Sequence, residues 1–325
     1  MHSFEHINAP DLSTATRLLR EPYTEAIAGG TDLLGELKKR IRSPRRLVNL
    51  KTIPGLNEIR PKGSLRLGAL VTLSEIEHHQ GVLEKFPLLA QAASSAATRQ
   101  LRNAGTVGGN LCQHPRCWYY RSPRFPCWLK GGKTCFAFEG ENKYHAILGG
   151  GPCHAVHPSD LAPALIAFNA NVQLTGPTAK REMSLEELYA KPKRDHRRMT
   201  VLGSGELIRE IQIPTPSKKS RGIYLKEMER RAWSFALVSV AAHVTFEGDR
   251  MAEVHIVLGG VAPVPWRAKE AEKILTGEKI SEAVAKAAGE AVVSAARPLR
   301  DNEYKIHLSK ALIAQALQKI SERRD

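Results

Sequence analysis

The chain of 325 residues is long enough for more than one packed core, because single hydrophobic cores stop growing near about 250–300 residues. A composition of 42% hydrophobic and 25% charged residues excludes a disordered or fibrous protein. The formal net charge is +15, but the basic residues lie in short, scattered clusters without interleaved aromatics, so we predict no nucleic-acid binding. No stretch reaches the roughly 18 apolar residues of a membrane span.

The N-terminus lacks a basic segment followed by an apolar one, so the chain by itself predicts a cytoplasmic location. The export signal of a partner would instead make it periplasmic. Five cysteines is an odd number, and four of them lie between residues 117 and 153. This arrangement favours reduced thiols at a metal over a disulfide framework.

The first part of the chain alternates short helices and strands. A Ser/Thr-x-x-Glu capping box should open one helix, and Pro87 should be the first residue of another. In chain order we predict a helix in DLSTATRLL (11–19), strands in AIA (26–28), RLVNL (46–50) and LRLGAL (65–70), a helix from TLSE (72–75), a helix over 87–98, and a glycine-rich turn over 102–110.

The second part predicts a proline-rich linker between two further groups of elements. The expected elements are a short helix and a strand in 157–176, a strand in ELIREIQIP (206–214), the linker PTPSKKSRG (214–222), buried strands in 235–246 and 253–265, and helices in the last fifty residues.

Two stretches carry paired glycines, AIAGGTDLL (26–34) and AGTVGGN (104–110). Glycine permits positive φ and lets a ligand approach bare backbone N–H groups. Neither stretch is a G-x-G-x-x-G that runs into a helix, which disfavours a Rossmann site. Together they predict a long ligand held at both ends of its diphosphate; the alternative is two structural turns.

Six segments carry a resemblance to a known family: AGGTDLL, RNAGTVGGNL, HPSDLAPAL, ELIREIQIP, YLKEMERRAWSFALVSVAA and LGGVAPVPWRA. In order and spacing they resemble the FAD-binding (medium) subunit of the xanthine dehydrogenase family of molybdenum hydroxylases, over nearly the whole chain. The resemblance implies an α+β protein, with a two-subdomain FAD-binding fold of the vanillyl-alcohol oxidase type and a smaller α/β C-terminal domain. The implied domains are 1–55, 56–216 and 217–325.

The resemblance also implies which residues hold the flavin. It places two groups of residues at the pyrophosphate, one from each glycine segment: Ala28, Gly29, Gly30, Thr31, Asp32, Leu33 and Leu34, and Thr106, Gly108, Gly109 and Asn110. It places Ser159 and Asp160 at the adenosine side. Ile208 would lie against the flavin and Lys226 near the isoalloxazine.

An insertion at about 111–156 separates Asn110 from Asp160, which ordinary members of the family bring close together in sequence. It contains Cys117, Cys127, Cys135 and Cys153. Four thiolates are what a [4Fe–4S] cluster needs, and the insertion resembles that of periplasmic aldehyde oxidoreductases and, with different spacing, 4-hydroxybenzoyl-CoA reductase. A loop this long with little periodicity needs a cross-linking centre to offset its conformational entropy.

Zinc is the competing metal. Zinc sites usually contain close C-x₂₋₄-C pairs, whereas the four cysteines here are separated by nine, seven and seventeen residues. His145, His154 and His157 are alternative ligands in the zinc interpretation. We expect the fifth thiol, Cys112, to be a buried structural residue.

No nucleophile with its base and no paired-carboxylate site is evident, so we predict no catalytic side chain: the flavin carries the chemistry. The resemblance implies a heterotrimeric aldehyde oxidoreductase that converts aldehydes to carboxylic acids. Electrons would pass from a large molybdenum-cofactor subunit through a small subunit with two [2Fe–2S] clusters to FAD here, and then to ferredoxin, a quinone, NAD or oxygen. The alternatives are a 4-hydroxybenzoyl-CoA reductase-type or xanthine dehydrogenase-type subunit, a stand-alone flavin oxidase, and a non-catalytic zinc-binding interaction module.

Overall fold

The computed structural model describes residues 1–61, 63–230 and 233–322, so positions 231 and 232 of the YLKEMERRAWSFALVSVAA segment and the last three residues of the expected C-terminal domain lie outside it. The strands are β1 (Glu5–Asn8), β2 (Thr24–Ile27), β3 (Arg46–Asn49), β4 (Ile59–Arg60), β5 (Leu65–Gly68), β6 (Asn171–Thr175), β7 (Lys180–Ser184), β8 (Leu207–Ile213), β9 (Ser220–Glu227), β10 (Val238–Glu247), β11 (Arg250–Gly259) and β12 (Trp266–Arg267). The helices are α1 (Leu12–Leu18), α2 (Leu33–Lys38), α3 (Leu73–His78), α4 (Gln80–Lys85), α5 (Pro87–Ser95), α6 (Arg99–Ala104), α7 (Val107–Leu111), α8 (Leu161–Ala167), α9 (Lys269–Leu275), α10 (Glu282–Val293) and α11 (Tyr304–Glu322).

The N-terminal unit is a three-stranded parallel sheet in the order β1-β3-β2. Helix α1 begins after Asp11, whose carboxylate accepts a hydrogen bond from the N–H of Thr14 at 2.7 Å and so caps the helix. Its apolar side, with Ala15 and Leu18, packs into the same small core as Val48 of the central strand. The predicted strand–helix unit is confirmed.

The second unit is a five-stranded sheet in the order β4-β5-β8-β6-β7, with antiparallel neighbours throughout. Helices α3 to α8 follow the first two strands and precede the other three. The Thr72–Glu75 capping box and the proline at the start of α5 are present as the sequence predicts. The main hydrophobic core lies in this unit and includes Leu67 of β5 and Ile211 of β8.

The C-terminal unit is a four-stranded antiparallel sheet in the order β12-β11-β10-β9, accompanied by α9 to α11. Successive residues of β10 point to opposite faces: Ala241 belongs to the main core, whereas Val240 and Ala242 belong to a separate core shared with the C-terminal helices. Both faces are therefore buried, which explains why VSVAAHV reads as a nearly continuous apolar run. The polar segment 214–222 ends inside β9.

The insertion is largely irregular. Between residues 112 and 156, which are all described, a single 3₁₀ turn, Trp128–Lys130, is the only helix, and none of the sheet strands lies there. The insertion is fastened to the C-terminal unit, where the N–H groups of Ile147 and Leu148 both donate to the carbonyl oxygen of Val261, at 2.9 and 3.0 Å. The N–H of His114 reaches the first glycine segment, where it donates to the Asp32 carboxylate at 2.9 Å, and Arg197, before β8, donates to the carbonyl oxygen of Gly132 at 2.8 Å. The insertion therefore contacts all three units of the fold.

A buried lysine makes part of this attachment. The Lys305 side chain on α11 is fully buried and donates to the carbonyl oxygens of Tyr144, at 3.0 Å, and Gly260, at 2.7 Å. These two hydrogen bonds join α11, the insertion and the end of β11. Since the ammonium has no carboxylate partner in these contacts, burial lowers the pKa of Lys305 to about 7.

We predict that the titration of Lys305 makes the free energy of unfolding depend on pH above neutrality. Between about pH 7 and pH 10.5 the unfolded chain binds a proton that the folded chain has released, so stability rises with pH through this window. The slope from this group is at most about 1.4 kcal/mol per pH unit. Scanning calorimetry should show a steeper rise of Tm in the wild type than in Lys305→Met, and equal slopes would contradict the prediction.

Candidate FAD site and cysteine cluster

The two glycine segments lie against each other. A Cβ built on Gly29 would overlap the carbonyl oxygen of Ala104, and one built on Gly105 would lie 3.7 Å from Oγ1 of Thr31. Gly30 has φ +69°, a left-handed conformation that favours glycine. The first segment is thus a tight turn pressed onto the second, as a shared ligand site requires.

The first segment offers unused backbone donors. Within the described residues, the N–H groups of Gly29, Gly30, Thr31 and Asp32 make no hydrogen bond to the protein. Consecutive free N–H groups at a glycine turn form the kind of concavity that binds phosphate oxygens. The turn is only partly buried, and Thr31 is exposed, so a ligand can reach it. The residues present therefore fit the diphosphate of a dinucleotide.

The second segment differs from the predicted turn. Residues 107–111 form helix α7, and the Thr106 side chain caps it by accepting from the N–H of Gly109 at 3.2 Å. The N–H of Gly108 is already bonded to the carbonyl oxygen of Ala69 at 2.9 Å. This N–H is therefore not free to bind a ligand. Gly108 instead allows close packing, because an added Cβ would lie 2.9 Å from that same oxygen. The prediction of a glycine-rich turn over 102–110 was wrong at 107–110, because tertiary packing stabilises a short helix there.

Ser159 and Asn110 connect this helix to the next. The Ser159 hydroxyl donates to Oδ1 of Asn110 at 2.5 Å and accepts from the N–H of Ala162 at 3.0 Å, which caps α8. Ile208 is 6% exposed and packs in the main core. Roles for these residues at the adenosine side and the flavin stay predictions.

Asp160 and Lys226 form a buried ion pair. Nζ of Lys226 lies 2.9 Å from Oδ2 of Asp160, and Oδ1 accepts from the Tyr224 hydroxyl at 2.7 Å. The side chains of Asp160 and Lys226 are 7% and 3% exposed. The sequence-based assignment put these two residues at opposite ends of an extended cofactor. In this structure their side chains contact each other, and the two assigned roles stay predictions. The contact was not visible in the sequence because 66 positions separate the two residues.

We predict that Lys226→Met destabilises the fold. It leaves the Asp160 carboxylate buried without its cation, which typically costs about 3–5 kcal/mol. Denaturant unfolding should show this loss, and Lys218→Met on the exposed segment before β9 is the matched control. Recovery of much of the loss in the Asp160→Asn/Lys226→Met double variant would identify the charge as the cause. An unchanged unfolding midpoint in the single variant would contradict it.

The sequence interpretation missed an ion-pair network that joins the first glycine segment to the insertion. The Asp32 carboxylate contacts the guanidinium groups of Arg116 and Arg121, at 2.6 and 2.7 Å, and accepts from the N–H of His114 at 2.9 Å. Burial acts to raise the pKa of Asp32, but the two arginines outweigh it and hold this pKa below its usual value. The two arginines of RCWYYR, near the start of the insertion, were the sequence feature that could have indicated this network.

Glu36 on α2 continues the network. Its side chain is fully buried and lies 3.0 Å from Nδ1 of His114 and 3.4 Å from Nη1 of Arg121. In the part of the chain that the structure describes, Asp32, Glu36 and His114 form the one group of three ligand-type residues within 4.8 Å of one another. Because two arginines already neutralise the carboxylates, this group is an ion-pair network rather than a metal site.

Four cysteines of the insertion lie near one another as free thiols. The thiols of Cys135 and Cys153 are hydrogen-bonded to each other, which lowers the pKa of Cys135 to about 6 and raises that of Cys153. Burial raises the pKa of Cys117 to about 12, and its electrostatic interaction with Cys135 and Cys127 adds to the shift. The fold thus brings together residues that are 36 positions apart in the chain.

The spacing of these sulfurs bears on the kind of metal centre. Four sulfurs around a single zinc ion lie about 3.8 Å apart, given Zn–S bonds near 2.3 Å. Among the described residues, no three cysteine sulfurs meet even a 4.8 Å limit. Nε2 of His145 lies 3.2 Å from Sγ of Cys117. The identity of a metal centre at these cysteines therefore stays a prediction. Cys112 is half-buried against the main core, apart from these four, and burial raises its thiol pKa to about 12.

The fold and the free-donor turn define a protein that holds a dinucleotide flavin. Residues 2–216 match the family described as FAD binding domain in molybdopterin dehydrogenase, and residues 223–320 match the CO dehydrogenase flavoprotein C-terminal domain. The chain belongs to the FAD-binding subunits of the molybdenum hydroxylase family, an oxidoreductase family that includes xanthine dehydrogenase, and it binds FAD. This membership replaces the alternative of a non-catalytic zinc module.

Particular relatives are similar over the whole chain. The aldehyde oxidoreductase FAD-binding subunit PaoB of Escherichia coli (strain K12) is 35% identical over 320 residues, 97% of this chain and 96% of PaoB. The glyceraldehyde dehydrogenase medium chain of Sulfolobus acidocaldarius is 25% identical over 98% of both chains. In fold, the carbon monoxide dehydrogenase of Hydrogenophaga pseudoflava matches with a TM-score of 0.80 at 24% identity, over 100% of this chain and 99% of the other. No helix among the described residues has the length and apolarity to cross a membrane.

Proposed function

We propose that this chain is the flavin subunit of a heterotrimeric aldehyde oxidoreductase. The observation that carries this proposal is the 35% identity to an aldehyde oxidoreductase subunit over nearly the full length of both chains. The partners would be a large subunit with the molybdenum cofactor and a small one with two [2Fe–2S] clusters. FAD supplies an acceptor for electrons that arrive from the small subunit and a donor to an external carrier.

In this proposal the residues of the chain position the cofactor and exclude competing contacts. The free N–H groups of 29–32 hold the diphosphate, and the close contact of Gly29 with Ala104 and Gly105 limits how far the turn can move. Leu33 and Leu34 follow the donors at the start of α2, where Leu34 is exposed and can cover bound cofactor. These groups bind and position the cofactor, and the flavin itself supplies the redox chemistry.

We also propose that Cys117, Cys127, Cys135 and Cys153 hold a [4Fe–4S] cluster. Four free thiols gathered in one irregular insertion, as many as such a cluster needs, support this proposal. Aromatic side chains pack around the site: the rings of Tyr119, Phe125 and Phe136 contact one another at 5.0–6.1 Å between centroids. Such rings would limit the access of water to a cluster.

The acceptor of the electrons is the finer part of the proposal. The formal charge of +15 favours an acidic carrier such as ferredoxin over a quinone, NAD or oxygen, because opposite charges speed encounter. Reduction of a ferredoxin should then slow as salt is added, and a salt-independent rate would contradict this choice. A cytoplasmic location, or a periplasmic one through a partner's export signal, stays a prediction.

The test is to purify the chain together with its partner subunits and to measure flavin, iron, zinc and aldehyde oxidation. We expect one FAD and about eight irons per heterotrimer, about four in the two [2Fe–2S] clusters of the small subunit and about four on this chain, and conversion of aldehydes to carboxylic acids with an artificial electron acceptor. Zinc in place of iron would overturn the cluster. Turnover of purines, or of 4-hydroxybenzoyl-CoA, without aldehydes would overturn the assigned substrate class while leaving the flavin role intact.

A further inference from the structure

The insertion meets the flavin site through charged side chains, and these contacts are more extensive than attachment requires. Arg121 uses its whole guanidinium: Nη2 contacts the Asp32 carboxylate at 2.7 Å and donates to the carbonyl oxygen of His114 at 3.0 Å, Nε donates to that of Pro115 at 2.8 Å, and Nη1 faces Glu36. Its side chain is only 10% exposed. Arg121 is therefore held in one position.

Without these arginines, two carboxylates in and just after the first glycine segment would repel a bound diphosphate, which is an electrostatic conflict. Asp32 belongs to the same turn as the free N–H groups, and the fully buried Glu36 lies one turn of helix further on. Two carboxylates beside the binding position of an anionic diphosphate would repel it, and a desolvated site strengthens the repulsion. Arg42, at 3.8 Å from Glu36, faces Glu36 but is engaged with Glu25.

Arg116 and Arg121 remove the conflict from the side of the insertion. Both oxygens of Asp32 are occupied, one by the two guanidinium groups and the other by the N–H of His114. The carboxylate is thereby neutralised and turned toward the insertion. The low pKa of Asp32 agrees with this geometry, since the arginines stabilise its charged form.

We propose that Arg116 and Arg121 are positioning residues for FAD: they neutralise Asp32 and Glu36 and hold the diphosphate-binding turn in its open-donor conformation, so that the flavin site of this chain is complete only with its insertion. The inference rests on the proposed diphosphate role of residues 29–32. It gives the insertion a role at the flavin that is separate from holding a metal. Arg121 lies one turn beyond Cys117, and its N–H donates to the Cys117 carbonyl oxygen at 2.9 Å.

The test is FAD affinity in the assembled enzyme, measured by removing the flavin and titrating it back while following its fluorescence. Arg121→Gln should weaken FAD binding by about thirtyfold, a typical effect of removing one partner of a hydrogen-bonded charge pair. Arg124→Gln is the matched control, because Arg124 is an exposed arginine of the same insertion. It should leave the affinity unchanged.

A charge-compensation variant separates positioning from a general loss of structure. Asp32→Asn removes the charge that Arg121 neutralises while keeping the backbone donors, so Asp32→Asn/Arg121→Gln should recover most of the lost affinity. A merely structural role would make the double variant no better than the single one. Iron is measured in each preparation, and we expect it to stay at the wild-type level.

Two results would overturn the inference: wild-type FAD affinity in Arg121→Gln, or no recovery in the double variant. A different result would overturn the proposed function instead. If the wild-type apoprotein failed to take up FAD, the diphosphate role of the turn itself would be wrong, whatever the arginine variants did.

Discussion

Gly29→Ala is expected to yield a folded protein with little or no FAD. The added Cβ overlaps the carbonyl oxygen of Ala104, so the first glycine segment must move away from the second. Overpacking of this kind typically costs about 1–3 kcal/mol, and here the cost falls on the geometry of the binding turn. We therefore expect FAD affinity to fall by about tenfold to a hundredfold, as measured by flavin content after gel filtration and by titration.

Gly35→Ala is the matched control for this variant. Gly35 lies six residues further on in the first turn of α2, and a Cβ there meets nothing within 4 Å. The substitution should retain FAD and stabilise the helix by up to about 1 kcal/mol, because alanine is the better helix former. Equal flavin content in Gly29→Ala and Gly35→Ala would show that the contact between the two segments does not position the cofactor.

Single cysteine-to-serine substitutions in the insertion should remove the proposed cluster. We expect the iron content of the assembled enzyme to fall by about four atoms, to the level of the partner's two [2Fe–2S] clusters, in Cys117→Ser, Cys127→Ser, Cys135→Ser and Cys153→Ser, with a matching decrease of the broad visible absorption that overlies the flavin bands. Since metal binding offsets the ordering entropy of an irregular loop, the insertion should also become sensitive to proteolysis.

Cys112→Ser is the matched control for these four variants. Cys112 lies at the start of the same insertion but packs against the main core, away from the other four sulfurs. Its replacement should leave the iron content unchanged. Undiminished iron in the other four variants, or equal loss in all five, would contradict the assignment of the ligands.

Local sequence signals predicted the individual elements well. The capping box at Thr72, the proline at the start of α5 and the alternation in β5 depend on neighbours within a few residues, and the structure confirms each of them. The gathering of four cysteines could also be anticipated, because a long segment with little periodicity buries too little surface to order itself, and clustered thiols can hold a metal that would cross-link it. The family resemblance supplied the two-subdomain flavin fold, which the comparisons confirm.

Contacts between distant residues could not be predicted. The second glycine segment reads as a turn, yet Thr106 caps a helix there because Ala69 of another strand–helix connection packs closely against Gly108. Intrinsic propensity is a weak signal when tertiary packing opposes it. Likewise, the sequence assigned Asp160 and Lys226 separate positions along the cofactor and gave no sign that folding pairs them in the interior.

The sequence alone determined which groups this protein brings to its chemistry: two paired-glycine segments, from which a diphosphate site is predicted, and four cysteines in one insertion, from which a metal centre is predicted. Tertiary structure decided how those parts depend on one another. Only in the fold do the arginines of the insertion reach Asp32 and Glu36. The physical reason is the separation in sequence of the residues that interact. Turns and helix caps depend on neighbouring residues, whereas the groups that neutralise the Asp32 carboxylate come from 80 or more positions away.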